Sequence, residues 1–403
     1  MKNIKISTKN VYKLMIVLSL IITMVTVLYS RFANTDGVVL NSDLTCEFRE
    51  KVYVKDFVSI LDGRLIDNYL IDTSEVGFKD VIITFKNKYG FIVGKKITIE
   101  VKDVVSPTVV VSNPYTIEKG SIDNLEETIF CADDYDDMVS CDIKGEYDLN
   151  SVGKYNLEIV AIDNSGNSTS KEFILNVIEK QVTTNQNTTK RYTRFKSVYN
   201  RYKNENTEIG LDISKWQGEV DYKTIKSQGV EFVMLKIGGQ TKIDGEYVVD
   251  PNFYENIEGA LKNDIKVGVY FYSYAKSEKE AKKQVDWIID KLENYEIDLP
   301  IVLDWENWNS YTKFQISFHT LNKIAEAFME RVEECGYEGV LYSSKYYLEN
   351  IWYEDNYDNW LAYYNEDFEN YHNYYMWQIC DNGKIDGING YVDVNIRPKK
   401  QKK

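Results

Sequence analysis

The sequence predicts a multidomain chain with one N-terminal transmembrane helix, two small all-β sandwich domains and a C-terminal α/β domain, a (β/α) barrel that is irregular in its last third. Three observations predict this fold class. An apolar run follows a basic N-terminus, an internal repeat of alternating apolar residues comes next, and strand-like and helix-like segments then alternate towards the end of the chain. A length of 403 residues suits two or three domains of ~150 residues each.

The N-terminal segment predicts an uncleaved membrane anchor. Residues 1–13 contain four lysines and no acid, and residues 14–30 are almost wholly apolar, near the short end of the ~17–25 residues that span a membrane. The lysines would hold the short tail in the cytoplasm. Ala33 suits the last position before a cleavage site, but Arg31 stands two residues earlier, where a small residue is needed. We therefore expect a signal-anchor over 14–30, with the rest of the chain outside the cytoplasmic membrane.

Residues 44–103 and 104–179 are predicted to form two related β domains. The segment from Asp72 to Gly77 is repeated from Asp148 to Gly153, an offset of 148 − 72 = 76 residues. Alternating apolar residues between Gly, Asn and Asp turns are typical of antiparallel sandwich strands. The segment 152–167 resembles bacterial immunoglobulin-like wall-protein repeats, which implies an immunoglobulin-like fold for the second domain and, more loosely, for the first.

The cysteines, histidines and acidic loops assign no metal and no cofactor. The five cysteines include no CxxC motif, and no motif surrounds either of the two histidines. Cys131 and Cys141 are close enough in sequence to form a loop-closing disulfide outside the cell. The acidic run Asp133–Asp137 has two interpretations, a calcium-binding loop or, more commonly, a solvated turn.

Residues 180–207 are predicted to be a polar and basic linker. Gln181 begins a run of Thr, Asn and Gln with no apolar period, and six basic residues interleaved with Tyr and Phe follow. This basic strip is either a solvated tether or a contact for the anionic wall or membrane surface. The net charge of −15 argues against nucleic acid as a partner.

From residue 208 to 397, eight candidate strands alternate with helical segments, which predicts a parallel sheet closed into a barrel. The candidate strands are Ile209–Ile213, Phe232–Ile237, Val267–Tyr272, Ile301–Asp304, Gly339–Tyr342, Trp360–Tyr363, Tyr375–Gln378 and Tyr391–Val394. The helical segments are 221–228, 252–263, 276–292, 317–335 and 345–351. The last strands follow one another too closely for full helices, so we expect an irregular final third.

An apolar strand that ends in two acids supplies the first candidate catalytic residues. Asp304 and Glu306 are two positions apart, and such residues on a strand point to the same face with Cα atoms roughly 6.6 Å apart. Two neighbouring carboxyl groups can serve glycosidic bond hydrolysis, one protonated and one ionised. Taken alone, the pair could equally cap the next helix or lie in water.

The other strand ends carry polar and aromatic side chains that would converge with this pair, because reactive residues of such barrels lie at the carboxyl ends of strands. Asp212 and Asp393 are two further candidate catalytic acids. The candidate substrate-binding residues are Lys236, Tyr270, Tyr272, Tyr342, Trp360 and Gln378. Hydrogen-bonding groups, aromatic faces and paired carboxylates together predict a sugar-binding cleft.

Residues 208–397 resemble glycoside hydrolase family 25, the lysozymes that include bacterial autolysins and phage endolysins. The resemblance is carried by the ordered segments Gly210–Gly218, Gly268–Ser273, Leu303–Glu306, Trp377–Gln378 and Gly390–Asn395. It implies a (β/α) barrel that cleaves the β-1,4 bond between N-acetylmuramic acid and N-acetylglucosamine in peptidoglycan. It further implies that Glu306 is the general acid and that Asp304 either positions the reacting sugar or acts as nucleophile.

The resemblance also implies roles for the remaining acids. Asp212 and Asp393 would line the cleft, and negative neighbours would raise the pKa of Glu306 so that it keeps its proton near neutral pH. The segment Lys236–Gln240 departs from the version with Ala and Glu in many members, which affects substrate binding rather than the acid pair.

The sequence thus predicts a single-pass membrane muramidase, a lysozyme-type glycoside hydrolase whose catalytic domain faces the cell wall, for wall remodelling or lysis. Its expected partners are peptidoglycan glycan strands and, through residues 14–30, the cytoplasmic membrane. Two alternatives stay open. One is a non-catalytic glycan-binding protein or adhesin of the cell surface, and the other is a hydrolase of another N-acetylated glycan such as chitin.

Overall fold

The computed structural model of the chain describes residues 8–180, 192–306, 316–353, 357–365 and 367–399. The chain divides into two compact units, Met1–Val105 and Ser106–Lys403.

The first unit begins with α1, Thr8–Phe32, which buries none of its side chains. Among the described residues, α1 is the one helix that is long and apolar enough to cross a membrane. It includes the whole of the predicted span over 14–30.

The rest of the first unit is a small β domain. A four-stranded sheet has the order β2-β6-β5-β4, and β1 pairs with β3. Alternate residues of the long hairpin, such as Ile83 and Ile99, are fully buried and form the core. The strands are β1 Val38–Leu40, β2 Thr45–Glu47, β3 Val58–Leu61, β4 Gly63–Leu65, β5 Gly77–Asn87 and β6 Ile92–Lys102, and a short 3-10 helix spans Val54–Phe57.

The second unit begins with another β domain. Its four-stranded sheet has the order β10-β11-β12-β8, and β7 pairs with β9. Cys131 and Cys141, the predicted pair, are joined by a disulfide. The strands are β7 Thr108–Val110, β8 Tyr115–Glu118, β9 Phe130–Ala132, β10 Ser140–Lys144, β11 Gly153–Ile162 and β12 Ser168–Ile178, and a 3-10 helix spans Glu126–Thr128.

The internal repeat reappears as identical hairpin pairing in the two β domains. Gly77 lies opposite Val101 across β5 and β6, and Gly153 lies opposite Val177 across β11 and β12. Both positions differ by the offset that the sequence shows. The repeated apolar residues therefore occupy the same inward positions of two equivalent hairpins.

The remainder of the second unit is a barrel-like sheet surrounded by helices. Its strands are β13 Thr193–Arg194, β14 Thr207–Ile213, β15 Phe232–Gln240, β16 Tyr247–Val249, β17 Lys266–Tyr272, β18 Ile301–Asp304, β19 Gly339–Ser344, β20 Asn359–Ala362, β21 Met376–Lys384 and β22 Val392–Pro398. Pairing runs from β14 through β15, β17, β18, β19, β20 and β21 to β22, which pairs again with β14 and closes the sheet.

The closing strand is the irregular part of the sheet. β22 is antiparallel to both of its neighbours, whereas the other strands of the ring run parallel to one another. Between β20 and β21 the described residues contain only a 3-10 turn, Asn370–Asn373, and β21 leads directly into β22. The expected irregular final third is therefore present.

The helices of this region are α2 Phe195–Tyr202, α3 Tyr222–Ser227, α4 Phe253–Lys262, α5 Glu278–Leu292, α6 Phe318–Glu334 and α7 Lys345–Asn350. Several of these helices begin after a residue whose side chain accepts a backbone N–H of the first turn. Asp221, Ser277, Ser317 and Ser344 each accept from the amide three residues later.

The structure corrects the predicted linker over 180–207. Residues 195–202 form α2, and Phe195, Val198 and Tyr202 lie in the core between the sheet and its helices. Their spacing of three and four residues places them on one helical face. Lys203 forms an ion pair with Glu231 at 2.6 Å. This part of the basic strip is thus integral to the domain, which begins earlier than residue 208, while residues 181–191 lie outside the described residues.

Candidate active site

Alternation along the barrel strands separates core residues from site residues. On β15, Val233 and Leu235 pack outward against the helices, whereas Phe232 and Met234 fill the inside of the sheet. The next inward position is Lys236, which lines the open end. On β14 an inward side chain would not fit below the site, since a Cβ at Gly210 would lie 2.5 Å from the Phe232 ring.

Asp212 and Asp393 lie opposite each other on β14 and β22. The side-chain amide of Gln378 on β21 donates to Oδ2 of each carboxyl, at 3.1 Å in both cases. The Gln378 carbonyl oxygen accepts the hydroxyls of Tyr342 at 2.8 Å and Tyr364 at 2.9 Å. With its oxygen accepting both hydroxyls, the amide directs its N–H groups at the two acids.

Burial and mutual repulsion raise the pKa values of these two acids. Burial is the largest cause for Asp212, followed by the negative charge of Asp393, while a hydrogen bond from Tyr270 opposes the rise in pKa. Burial, followed by the charges of Asp381 and Glu306, raises the pKa of Asp393 to about 7. At least one of these carboxyls therefore exchanges a proton close to neutral pH.

Asp304 and Glu306 form the second acidic pair, at the end of β18. Asp304 is 2% exposed, and its Oδ1 has no hydrogen-bond partner among the described residues. The nearby carboxyl of Glu306 is exposed. Burial, followed by the Glu306 charge, raises the pKa of Asp304. Asp304 therefore favours its protonated form beside the exposed Glu306.

Aromatic side chains form the walls between the two acidic pairs. Trp360 packs edge-on against Tyr342 and Tyr270, with ring centroids 4.7 Å and 6.1 Å away. The ammonium of Lys236 lies 4.8 Å from the ring centroid of Tyr272 and 5.9 Å from that of Tyr270. Lys236 is thus held by aromatic faces and leaves the acids without a direct ion pair among the described residues.

These residues surround one cleft of about 540 Å³. It contains all four predicted catalytic acids, Asp212, Asp304, Glu306 and Asp393, and five of the six predicted substrate-binding residues, Lys236, Tyr270, Tyr272, Tyr342 and Trp360. Gln378 is the exception, since it is fully buried and does not line the cleft. The predicted substrate ligand Gln378 is instead the residue that positions Asp212 and Asp393.

A second expectation from the sequence also changes. The sequence predicts that negative neighbours raise the pKa of Glu306. In the structure, burial raises the pKa values of Asp212, Asp304 and Asp393, and Glu306 is exposed. Burial therefore favours the protonated forms of the three buried acids.

Several cleft residues were missed by the sequence argument. Trp216 is 78% exposed at the rim and adjoins Gln217, while Asp381 and Tyr391 line the same cleft from β21 and the loop before β22. Trp216 follows the end of β14 within the same sequence segment as Asp212, and this position could have identified it as a cleft residue. Nothing in the sequence marks Asp381 or Tyr364, because their positions depend on how the irregular last strands pair.

Two further grooves adjoin the cleft. A groove of about 560 Å³ shares Glu306 and Tyr342 with it and is lined by the tyrosines of α7 and β20 and their neighbours, Tyr346, Tyr347, Tyr363 and Tyr364. A shallow groove of about 1280 Å³ on the other side shares Trp216 and Gln217 and contains Arg194 and Lys196 of the basic strip. The cleft with the paired acids thus shares lining residues with a groove at each of two places, at Glu306 and at Trp216.

Comparison with known proteins assigns part of the chain to a family. Residues 211–388 match Glycosyl hydrolases family 25. The chain is 28% identical over 210 residues to the protein YegX of Escherichia coli K12, covering 51% of this chain and 75% of that protein. It is 26% identical over 196 residues to the autolytic lysozyme of Clostridium acetobutylicum, covering 46% of this chain and 54% of that enzyme.

A solved structure is also similar. The spore cortex lytic enzyme SleM of Clostridium perfringens aligns with a TM-score of 0.43 and 24% identity, over 49% of this chain and 68% of that one.

Proposed function

We propose, on the premise that residues 211–388 are a glycosyl hydrolase family 25 domain, that the chain is a muramidase that cleaves the β-1,4 bond between N-acetylmuramic acid and N-acetylglucosamine in peptidoglycan. The observation that carries the proposal is that buried Asp304 and exposed Glu306 line one cleft, which also contains Asp212 and Asp393. Paired carboxyls with different surroundings are the requirement for acid-catalysed glycoside cleavage.

Glu306 is the proton donor in this proposal. It is the exposed member of the pair, so it can reach the glycosidic oxygen of a bound chain, whereas Asp304 lies buried beside it. In the proposed reaction a proton passes from Glu306 to the leaving oxygen as the bond to the anomeric carbon breaks. Glu306 later recovers a proton from the water that completes hydrolysis.

Asp304 is proposed to orient the substrate's own acetamide as nucleophile. Carboxyls that flank a glycosidic bond as acid and nucleophile are about 5 Å or more apart. Asp304 ends β18, Glu306 follows two residues later, and both line the same cleft, which favours positions on the same side of the bond. The unpartnered Oδ1 of Asp304 can accept the acetamide N–H while the acetamide oxygen attacks the anomeric carbon. Water then opens the cyclic intermediate with net retention of configuration.

The remaining acids and aromatic residues bind and polarise the sugar. Asp212 and Asp393 supply negative charge close to the carbon that becomes cationic in the transition state. Trp216 presents an exposed ring at the rim, and the tyrosine groove beside Glu306 extends the surface on which sugar rings can stack. The two grooves that share residues with the cleft suit a substrate longer than the cleft itself.

Clearing of purified cell walls tests this function. Glu306→Gln keeps the shape of the side chain but cannot donate a proton, and we expect a loss of at least ~10²–10³-fold in the clearing rate. Glu326→Gln, at an exposed position on α6 away from the cleft, is the matched control and should clear walls like wild type. Equal clearing by Glu306→Gln and wild type would refute the assignment.

Product chemistry separates the alternatives within the same assay. Mass spectrometry should find fragments with N-acetylmuramic acid at the reducing end. N-acetylglucosamine reducing ends, or release from chitin alone, would redirect the substrate assignment. Tight binding of walls by the wild type without any product would support the non-catalytic glycan-binding alternative.

The chain architecture is proposed to place this activity at the wall. The apolar α1 supports a single-pass anchor over 14–30, with residues 1–13 in the cytoplasm. The two β domains, proposed to be immunoglobulin-like, would form the stalk between the membrane and a (β/α) barrel. Carbonate extraction of cell membranes should leave the protein in the membrane pellet, and its release into the supernatant would contradict the anchor.

A further inference from the structure

A loop of the second β domain is docked on the catalytic region by its backbone. The carbonyl oxygens of Asp133 and Asp134 accept the amides of Phe318 and His319, each at 2.9 Å. Oδ1 of Asp137 accepts the amide of Ser317 at 2.8 Å. These are the amides at the start of α6, which have no partner within the helix. The acidic run is therefore a structured cap on α6 and not a solvated turn.

The same loop contributes to a compact group of carboxylates. Asp133 and Asp136 come from the loop, and Asp163 comes from the end of β11, which the loop faces. One carboxylate oxygen of each lies within 4.8 Å of the others. Asp133 is 1% exposed and Asp163 is 6% exposed. Three acids are thus crowded at a site that is largely closed to water.

Local hydrogen bonds satisfy only part of this group. Oδ1 of Asp133 accepts the amides of Tyr135 at 2.9 Å and Asp136 at 2.8 Å. Oδ2 of Asp133 is buried and has no hydrogen-bond partner in the described part of the chain, and no described basic residue forms an ion pair with any of the three acids. Asp163 accepts the amide and the side-chain N–H of Asn167, at 2.8 Å and 2.9 Å. Leaving a carboxylate oxygen buried without a partner is costly.

We propose that Asp133, Asp136 and Asp163 bind one calcium ion, which holds the second β domain against α6. The donors are all hard carboxylate oxygens, and no cysteine or histidine is among them, which favours Ca²⁺ over zinc and other transition metals. Ca²⁺ accepts an irregular oxygen shell completed by backbone carbonyls and water, whereas Mg²⁺ requires a strict octahedron. The cation would neutralise the carboxylates and give Oδ2 of Asp133 its missing partner.

Bound calcium would stabilise the start of α6, because Asp133 belongs both to the carboxylate group and to the loop that caps this helix. Asp133 supplies its carboxylate to the cluster and its carbonyl oxygen to Phe318, so fixing one fixes the other. The Tyr135 ring also stacks on His319, with centroids 5.7 Å apart. α6 is the first described helix after Glu306 in the chain. This inference is independent of the proposed reaction, because it concerns the junction and not the cleft.

Calorimetric titration of the full-length protein in detergent with CaCl₂, after chelator treatment, tests the site. We expect one equivalent to bind wild type and Asp142→Asn, an exposed acid on β10 outside the group. Binding should weaken by at least about tenfold in Asp133→Asn and Asp136→Asn, since each removes one ligand charge. Absence of binding by wild type, or equal affinity in all four proteins, would overturn the site. Should Asp133→Asn fail to fold, the half-buried Asp136→Asn decides.

Two further measurements distinguish a cation site from a structural carboxylate. In chelator, Asp133→Asn should unfold at or above the wild-type temperature, because it removes charge repulsion while its amide oxygen still accepts both N–H groups. A lower unfolding temperature in chelator would assign Asp133 a purely structural role. Hydrogen exchange at the amides of Phe318 and His319 should slow when calcium is added. Unchanged exchange despite calcium binding would refute the proposed effect on the junction.

Discussion

Two groups of buried carboxyls lie in the second unit, and their charges are balanced in different ways. In the cleft, Asp212 and Asp393 share the amide of Gln378, and burial with the Glu306 charge raises the pKa of Asp304. In the β domain, Asp133 receives only backbone amides from the described residues, and one of its oxygens has no partner among them. One group is therefore balanced by protons and neutral donors, and the other requires a cation.

This difference teaches that buried acids alone do not identify a catalytic site. The cleft of the first group is also lined by aromatic side chains, and the pKa of Asp393 lies at about 7, so this group can exchange a proton near neutral pH. The acids of the β domain are closed off and lie at a contact with α6, where an exchangeable proton serves no purpose. The surroundings of each group, and not its charge count, indicate its role.

Gln378→Met is expected to have the largest effect on the cleft acids. The substitution preserves volume but leaves Asp212 and Asp393 without their N–H donors and the hydroxyls of Tyr342 and Tyr364 without an acceptor. We expect a loss of roughly 1–3 kcal/mol in unfolding free energy for each group that stays unpaired. We also expect kcat to fall and its pH profile to shift upwards, because the acids lose a group that stabilises their charged forms.

Gln284→Met is the matched control for that experiment. Gln284 is also a fully buried glutamine, which accepts the Ser273 hydroxyl at 2.7 Å and donates to Gln240 at 3.1 Å. Its loss should lower stability similarly but leave the pH profile of activity in place. If both variants change only stability, then Gln378 is a core residue and does not position the acids. Calcium affinity should be unaffected by either change.

Much of the cleft was predictable, because the face of a strand on which a residue lies follows from its position along that strand. The sequence predicts where β14 and β18 end, and alternate residues on any strand share a face, so Asp212 and Asp304 meet once the sheet closes. Asp393 reaches the same cleft differently from the prediction: it lies near the start of β22 and not at its carboxyl end, because this strand is antiparallel to its neighbours. The predicted helical segments 276–292 and 317–335 match α5 and α6 to within a few residues.

What the sequence could not supply depends on contacts between distant segments. Gln378 follows the strand-end pattern, yet it is drawn inward because two tyrosines and two acids meet there. α2 was hidden by its basic residues, since the apolar face of Phe195, Val198 and Tyr202 is visible only once a core exists to receive it. The burial of Asp133 similarly arises because its loop meets α6, which lies far along the chain.

A smaller effect, on the pH dependence of stability, tests whether the cleft acids are balanced by protons. The pKa of Asp393 is raised from 3.8 to about 7 by folding. Between these values the folded state binds more protons at Asp393 than the unfolded chain does. The contribution of Asp393 to the free energy of unfolding is therefore greatest below pH 4 and is lost as the pH rises through 7. Asp393 alone accounts for a fall of at most about 4 kcal/mol in the free energy of unfolding over this pH range.

Asp393→Asn should flatten this dependence between pH 4 and 7, because the asparagine does not ionise. Urea unfolding of the full-length protein, followed by tryptophan fluorescence at several pH values, measures it. All seven tryptophans lie between residues 216 and 377, so the signal reports the catalytic region rather than the β domains. An unchanged slope in the variant would mean that Asp393 is already ionised at low pH. The cleft would then depend on fixed charges, as the calcium site does, and the contrast between the two groups would disappear.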